Sequence, residues 1–136
     1  MRLKYKVLIV NDNEQMASTL EGLLRQEGYT VETAPSADNA FGKVECCKYH
    51  IILINSDLPD MDGIELLKRM KKYDPMSQII MMTEHPNIGD ILSSLEYGAN
   101  DYLNMSLKSA ELVIEVVNDS VHNLERWRET IVQLVK

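Results

Sequence analysis

Five short runs rich in β-branched and aliphatic residues recur along this chain: "YKVLIV", "YTVETA", "HIILIN", "QIIMMT" and "NDYLN". Several are apolar without alternation, the pattern of strands covered on both faces. Between them lie "EQMASTLEGLLRQEG", "SADNAFGKVECC", "MDGIELLKRMKKY" and "PNIGDILSSLEYG", each with apolar residues three and four apart. A regular βα alternation admits few folds. Right-handed crossovers then give an α/β protein, a parallel sheet with helices on both sides. With 136 residues and 45% apolar composition, the chain suffices for one core and is too short for two.

Turn and cap residues mark the boundaries. Gly28 and Gly98 follow the last periodic residues of the first and fourth helices, where a left-handed C-cap is favoured. Ser36 reads as an N-cap for the second helix, and Pro86 suits a first helical position in the fourth. The basic run Lys68 to Lys72 closes the third helix and reads as a solvated face.

From Leu107 to about Val135 nothing interrupts helicity, and at ~1.5 Å per residue that is roughly 43 Å. A domain of this size is about 35 Å across, so the helix is expected to overhang. The stripe Ala110, Val113, Val117, Ser120, Leu124, Trp127, Ile131, Leu134 keeps three and four spacing and reads as a seam for a partner helix or a second copy. Folding back over its own domain is the alternative.

Charge and composition exclude several functions. A net charge of −7 offers a phosphate backbone no favourable field, so no nucleic-acid partner is expected. The apolar runs are too short to span a membrane and the N-terminus turns polar too soon for a signal peptide, which points to the cytoplasm. Cys46 and Cys47 are adjacent and cannot make an ordinary disulfide; they read as two thiols near a helix end. His50, His85 and His122 are scattered and receive no role.

In an open parallel sheet, functional groups gather beyond the carboxyl ends of the strands. Those ends supply Asn11, Asp12 and Asn13, then Asn55 with Asp57, then Thr83, then Tyr102 and Met105. Taken singly, Asp12 could cap the first helix and Thr83 could satisfy a backbone group. Tyr102 could be a half-buried packing residue with its hydroxyl in water.

The ordered set "VLIVNDNEQM", "LINSDLPDMDGIELLKRM", "IIMMTEH" and "YGANDYLNMSL" resembles the response-regulator receiver domain of two-component signalling, over Tyr5 to about Val121. The resemblance implies a three-layer, doubly wound, flavodoxin-like sheet of order 2-1-3-4-5. It also implies a receiver-like domain over 1–121, with 122–136 continuing the last helix as a coiled-coil or linker segment. In this family an aspartate at the place of Asn55 takes a phosphoryl group from phosphohistidine. Acids at the places of Asn11 and Asp12 hold Mg²⁺ with that aspartate and the carbonyl of residue 57. A lysine at the place of Met105 pairs with the phosphoryl oxygen. Thr83 and Tyr102 match the switch positions, and Ser106 stands where proline is usual.

The departures have physical consequences. A carboxamide is neutral and its nitrogen lone pair is delocalised, so Asn55 is not a nucleophile toward phosphorus. The triad at 11, 12 and 55 falls from three formal charges to one, leaving Asp12, with help from Asp57, as weak Mg²⁺ ligands and Asn11 as a degenerate position. Without anionic partners a lysine at 105 would be an uncompensated cation, and methionine removes that cost. The expectation is a phosphorylation-independent signalling module that needs no cofactor, is not an enzyme and acts by contact with a histidine kinase or an output domain. A homodimer through Val117, Leu124, Trp127, Ile131 and Leu134 is the further expectation. The alternatives are a working or mutationally disabled phosphoacceptor and a fragment of a longer regulator.

Overall fold

The computed structural model describes residues 5–105 and 110–135. Strands β1 (Lys6–Val10), β2 (Thr30–Ala34), β3 (Ile51–Asn55), β4 (Gln78–Thr83) and β5 (Asp101–Asn104) alternate with helices α1 (Glu14–Gln26), α2 (Ala37–Cys46), α3 (Gly63–Tyr73), α4 (Ile88–Glu96) and α5 (Ala110–Leu134). The strands pair in parallel in the order β2-β1-β3-β4-β5. Order reverses beside β1, so a crevice opens between the ends of β1 and β3.

The even and odd positions of each strand face opposite layers. Val7, Ile9, Leu53 and Ile80 pack with Leu20 and Leu24 of α1 and with Val113, Val116 and Val117 of α5. Leu8, Val10, Ile52 and Ile54 pack with Ala40 and Val44 of α2 and with Leu66, Leu67 and Met70 of α3. Burial on both faces explains why these strands are apolar throughout.

Local chemistry sets the helix ends. Gly28 (φ +94°) and Gly98 (φ +98°) adopt the left-handed conformation, as their place after α1 and α4 requires. Ser36 caps α2 by accepting the Asn39 N–H at 3.1 Å. Two cap assignments change. Asn13, not Asp12, caps α1, accepting the Met16 N–H. Asn87 caps α4, accepting the Asp90 N–H at 2.8 Å, so Pro86 lies one residue outside the cap and not in the first turn. The proposed start at Leu107, and Ser106, lie outside the described residues.

The overhang of α5 begins later than the sequence division at residue 121. Val121 and Leu124 are buried in the α1 layer, and the side chains from Glu125 onward are exposed. Val117 and Leu124 therefore belong to the core of their own domain and are not free to meet a partner. Trp127, Ile131 and Leu134 remain outside, 56%, 48% and 80% exposed. Arg128 still leans back over the Tyr5 ring, 5.9 Å from its centroid. No described helix is long and apolar enough to cross a membrane.

Candidate functional site

The strand ends build one cavity of about 240 Å³, lined by Asn11, Asp12, Asn13, Met16, Asn55, Asp57, Met82, Thr83, Glu84, His85 and Met105. Asn55 is the last residue of β3 and lines this cavity. Its Nδ2 donates toward Asn11 Oδ1 at 3.3 Å, Asp12 Oδ1 at 3.3 Å and the Asp57 carbonyl at 3.4 Å. Its Oδ1 accepts the Asp57 N–H at 3.4 Å. Asn11, 7% exposed, also accepts the Asn13 N–H at 2.9 Å, which holds the turn between β1 and α1.

The turn after β3 is equally constrained. Asp57 pairs with Asp62 in an isolated antiparallel bridge, and Gly63 N–H donates to the Ser56 carbonyl at 3.1 Å. Asp62 caps α3 by accepting the Ile64 N–H at 3.0 Å. Farther along the loop, Asp60 takes the N–H groups of Ala37 and Asp38 at 3.0 and 2.9 Å, tying it to the start of α2. Those two N–H groups hold the Asp60 carboxyl below its ordinary range.

Thr83 ends β4, 2% exposed, and its hydroxyl accepts the His85 N–H at 3.0 Å. The backbone-satisfying role that its residue type suggests is the one it plays. Met105 lines the cavity and packs into the α1/α5 layer, a flexible apolar side chain at the place of the family's lysine.

Tyr102 stands apart. It packs on the opposite layer, against the cluster that holds Leu66, Met81 and Ala99. Its hydroxyl oxygen is buried without a hydrogen-bond partner among the described residues, which corrects the expectation of a hydroxyl in water. Burial, then the carboxylates of Asp90 and Asp57, push its pKa up. Ser94 of α4 is a second buried hydroxyl in the same condition.

Residues 7–118 match the response regulator receiver domain family. The chain belongs to the receiver family. This receiver is 34% identical over 107 residues to the alkaline phosphatase synthesis transcriptional regulatory protein PhoP of Bacillus subtilis, covering 79% of this chain and 45% of that one. It is 31% identical over 113 residues to the uncharacterized transcriptional regulatory protein YkoG of the same organism, covering 83% and 50%. The receiver thus spans about half the length of these regulators. Among solved structures, a CheY-like receiver domain protein from Methanospirillum hungatei superposes with TM-score 0.85 at 28% identity, covering 90% of this chain and 97% of that one. A two-component response regulator from Clostridium difficile gives 0.83 at 28% identity, covering 88% and 97%.

The Mg²⁺ site that receiver chemistry implies would need four oxygens here: from Asn11, Asp12, Asn55 and the Asp57 carbonyl. The arrangement does not suit the ion. One carboxylate remains among the four, and an N–H₂ group points into the space between the other three acceptors. A hard, reluctantly dehydrated cation requires anionic oxygens at that point, not donors. Among the described residues, no cluster of three His, Cys, Asp or Glu side chains is set to hold a metal.

Sequence reasoning passed over four residues that shape the site: Gly63, Asp60, Glu84 and His85. The "MDG" turn was the available signal for Gly63. The other three are brought in by loop geometry alone. His50, given no role from sequence, accepts the Lys6 N–H on Nδ1 at 3.0 Å, a structural bond at the start of β1. Cys46 and Cys47 are exposed at the end of α2.

Proposed function

We propose that this receiver is a two-component-type signalling module that takes no phosphoryl group at Asn55 and is read by protein contact. The observation that carries the reading is the carboxamide at the tip of β3, in a cavity whose charged lining, among the described residues, is Asp12, Asp57 and Glu84 with no Lys or Arg. An incoming phosphoryl dianion meets like charge there and finds no nucleophile. Asp57 also lines the cavity, two residues past the strand tip, with its backbone N–H and carbonyl both engaged by Asn55, and the mass assay below reads any transfer to it as well.

Two unpartnered apolar surfaces support readout by contact. α4 exposes Ile88, Leu92 and Leu95 on one stripe, and the end of α5 exposes Trp127, Ile131 and Leu134 at the same spacing. The end of α5 is the seam for a second copy of this chain. The partners are a sensor kinase or an output domain, and the naming of relatives such as PhoP as transcriptional regulators supports control of transcription as the output served. No cofactor is required.

Incubation with acetyl phosphate and Mg²⁺, read by intact mass, tests the reading. The expected result is an unchanged mass. A gain of one phosphoryl group on the chain as written returns it to the phosphate-driven receivers.

A further inference from the structure

We propose that the Asn55 carboxamide is a built-in substitute for a divalent cation: its N–H₂ group occupies the centre of the acceptor cluster and ties the β1–α1 turn to the β3–α3 turn. This rests on reading Asn55 as an inert phosphoacceptor position, but it concerns what fills the cavity and not whether phosphorus can enter it.

The atom assignment follows from the donors and acceptors around it. Asn11 must present oxygen inward because that atom takes the Asn13 N–H at 2.9 Å. Asp12 and the Asp57 carbonyl are acceptors only. Three acceptors 3.3 to 3.4 Å from one atom of Asn55 leave nitrogen as the sole choice. The other end of the amide then faces a donor, the Asp57 N–H, so both ends agree.

Three oxygens converging on one point repel one another, and that repulsion must be relieved. A metal would relieve it with two charges, at the cost of stripping water from a hard ion. The amide relieves it with two polarised hydrogens already attached to the fold. It adds no charge, so Asp12 remains the only carboxylate among the three acceptors. The two turns on either side of the crevice are thereby joined by long hydrogen bonds with no dependence on the concentration of any ion.

A ligand that binds only the folded chain raises its melting temperature by an amount that grows with the logarithm of its concentration over Kd, so cation binding is legible as a shift. Thermal unfolding of the wild type, Asn55→Asp and Asn55→Ala is compared in EDTA and in millimolar MgCl₂. The wild type is expected to melt within about 1 °C in the two buffers. Asn55→Asp is expected to melt lower in EDTA and to gain about 3 °C or more with Mg²⁺. Asn55→Ala is expected to melt lower than the wild type in both, because it leaves the acceptors facing each other unrelieved.

A wild-type melting temperature that rises with Mg²⁺ as much as that of Asn55→Asp overturns the proposal. So does an Asn55→Asp protein that ignores Mg²⁺, or an Asn55→Ala protein as stable as the wild type. If a variant fails to fold, the wild-type side-chain amide signals of Asn55 decide. They are expected to stay in place on adding Mg²⁺, and a shift or broadening overturns the proposal. The phosphoryl mass assay is independent of all these readings, so either idea can fail alone.

Discussion

A Cβ placed on Gly63 would lie 2.6 Å from the Cα of Ser56 and 2.9 Å from the carbonyl oxygen of Asn55. The first residue of α3 therefore sits directly against the tip of β3, with no room between them for a side chain. Real Cβ atoms do not approach backbone this closely, so the contact is possible only for glycine.

Gly63→Ala is expected to push the β3 tip away and to destabilise the fold by about 1–3 kcal/mol, the usual cost of overpacking. Chemical denaturation checks it through a lower midpoint with an unchanged slope. The same variant should disturb the side-chain amide signals of Asn55, since the two contacts share the Asn55–Ser56 backbone.

Tyr102 offers the opposite case. Its buried hydroxyl has no partner among the described residues, so the fold bears a desolvation cost that the ring does not need. Tyr102→Phe is expected to leave stability unchanged or to raise it by about 1 kcal/mol. A loss of stability in thermal unfolding would show that the hydroxyl is satisfied in solution and that the ring sits differently.

Glu32, on β2, accepts from Lys6 at 2.8 Å, from the Tyr49 hydroxyl at 2.9 Å and from Lys43 at 3.4 Å. These bonds, the Lys6 contact foremost, hold its carboxyl down to about 2 from an ordinary 4.5. The folded state keeps this proton off longer than the unfolded chain does. The stabilisation is therefore complete above about pH 4.5 and is lost as pH falls toward 2. The side chain is 37% exposed, so solvent screening reduces the contribution to about 1 kcal/mol. Glu32→Gln is expected to lose that amount at neutral pH and to show a shallower acid limb in a stability-against-pH series.

The two halves of α5 should answer mutation differently. Leu124→Asp places a charge in the α1 layer, where Leu124 is 9% exposed, and is expected to cost about 3 kcal/mol or more of stability. Ile131→Asp changes an exposed residue and should leave the melting temperature within about 1 °C. If the overhang is the seam, Ile131→Asp alone lowers the apparent mass in concentration-dependent sedimentation. A wild type that stays monomeric at high micromolar concentration removes the homodimer.

Much of the fold could be read from local pattern. The runs QIIMMT and HIILIN match β4 and β3 to within a residue because a short apolar run rich in isoleucine between turn residues has few other solutions. The caps were less secure. Asp12 and Asn13 are both good N-cap residues, and the choice of Asn13 depends on Asn11 turning the chain one residue earlier, through the Asn13 N–H. Pro86 fits a first helical turn by its fixed φ, yet Asn87 next to it can accept the Asp90 N–H and starts the helix two residues later. The stripe on α5 was legible as a stripe, but periodicity does not say how far along it the chain's own core extends.

What the sequence determined by itself is the parallel α/β alternation and the amide at the end of the third strand, because hydrophobic period and residue chemistry are properties of neighbouring positions. Only the tertiary structure decided what that amide touches, which way the Tyr102 hydroxyl points, which carboxylate Lys6 holds, and where α5 leaves its domain. Most of these depend on groups far apart in sequence, as Asn55 with Asn11 and Lys6 with Glu32. Their distances are fixed by strand register and by how the layers close, and no local pattern encodes them.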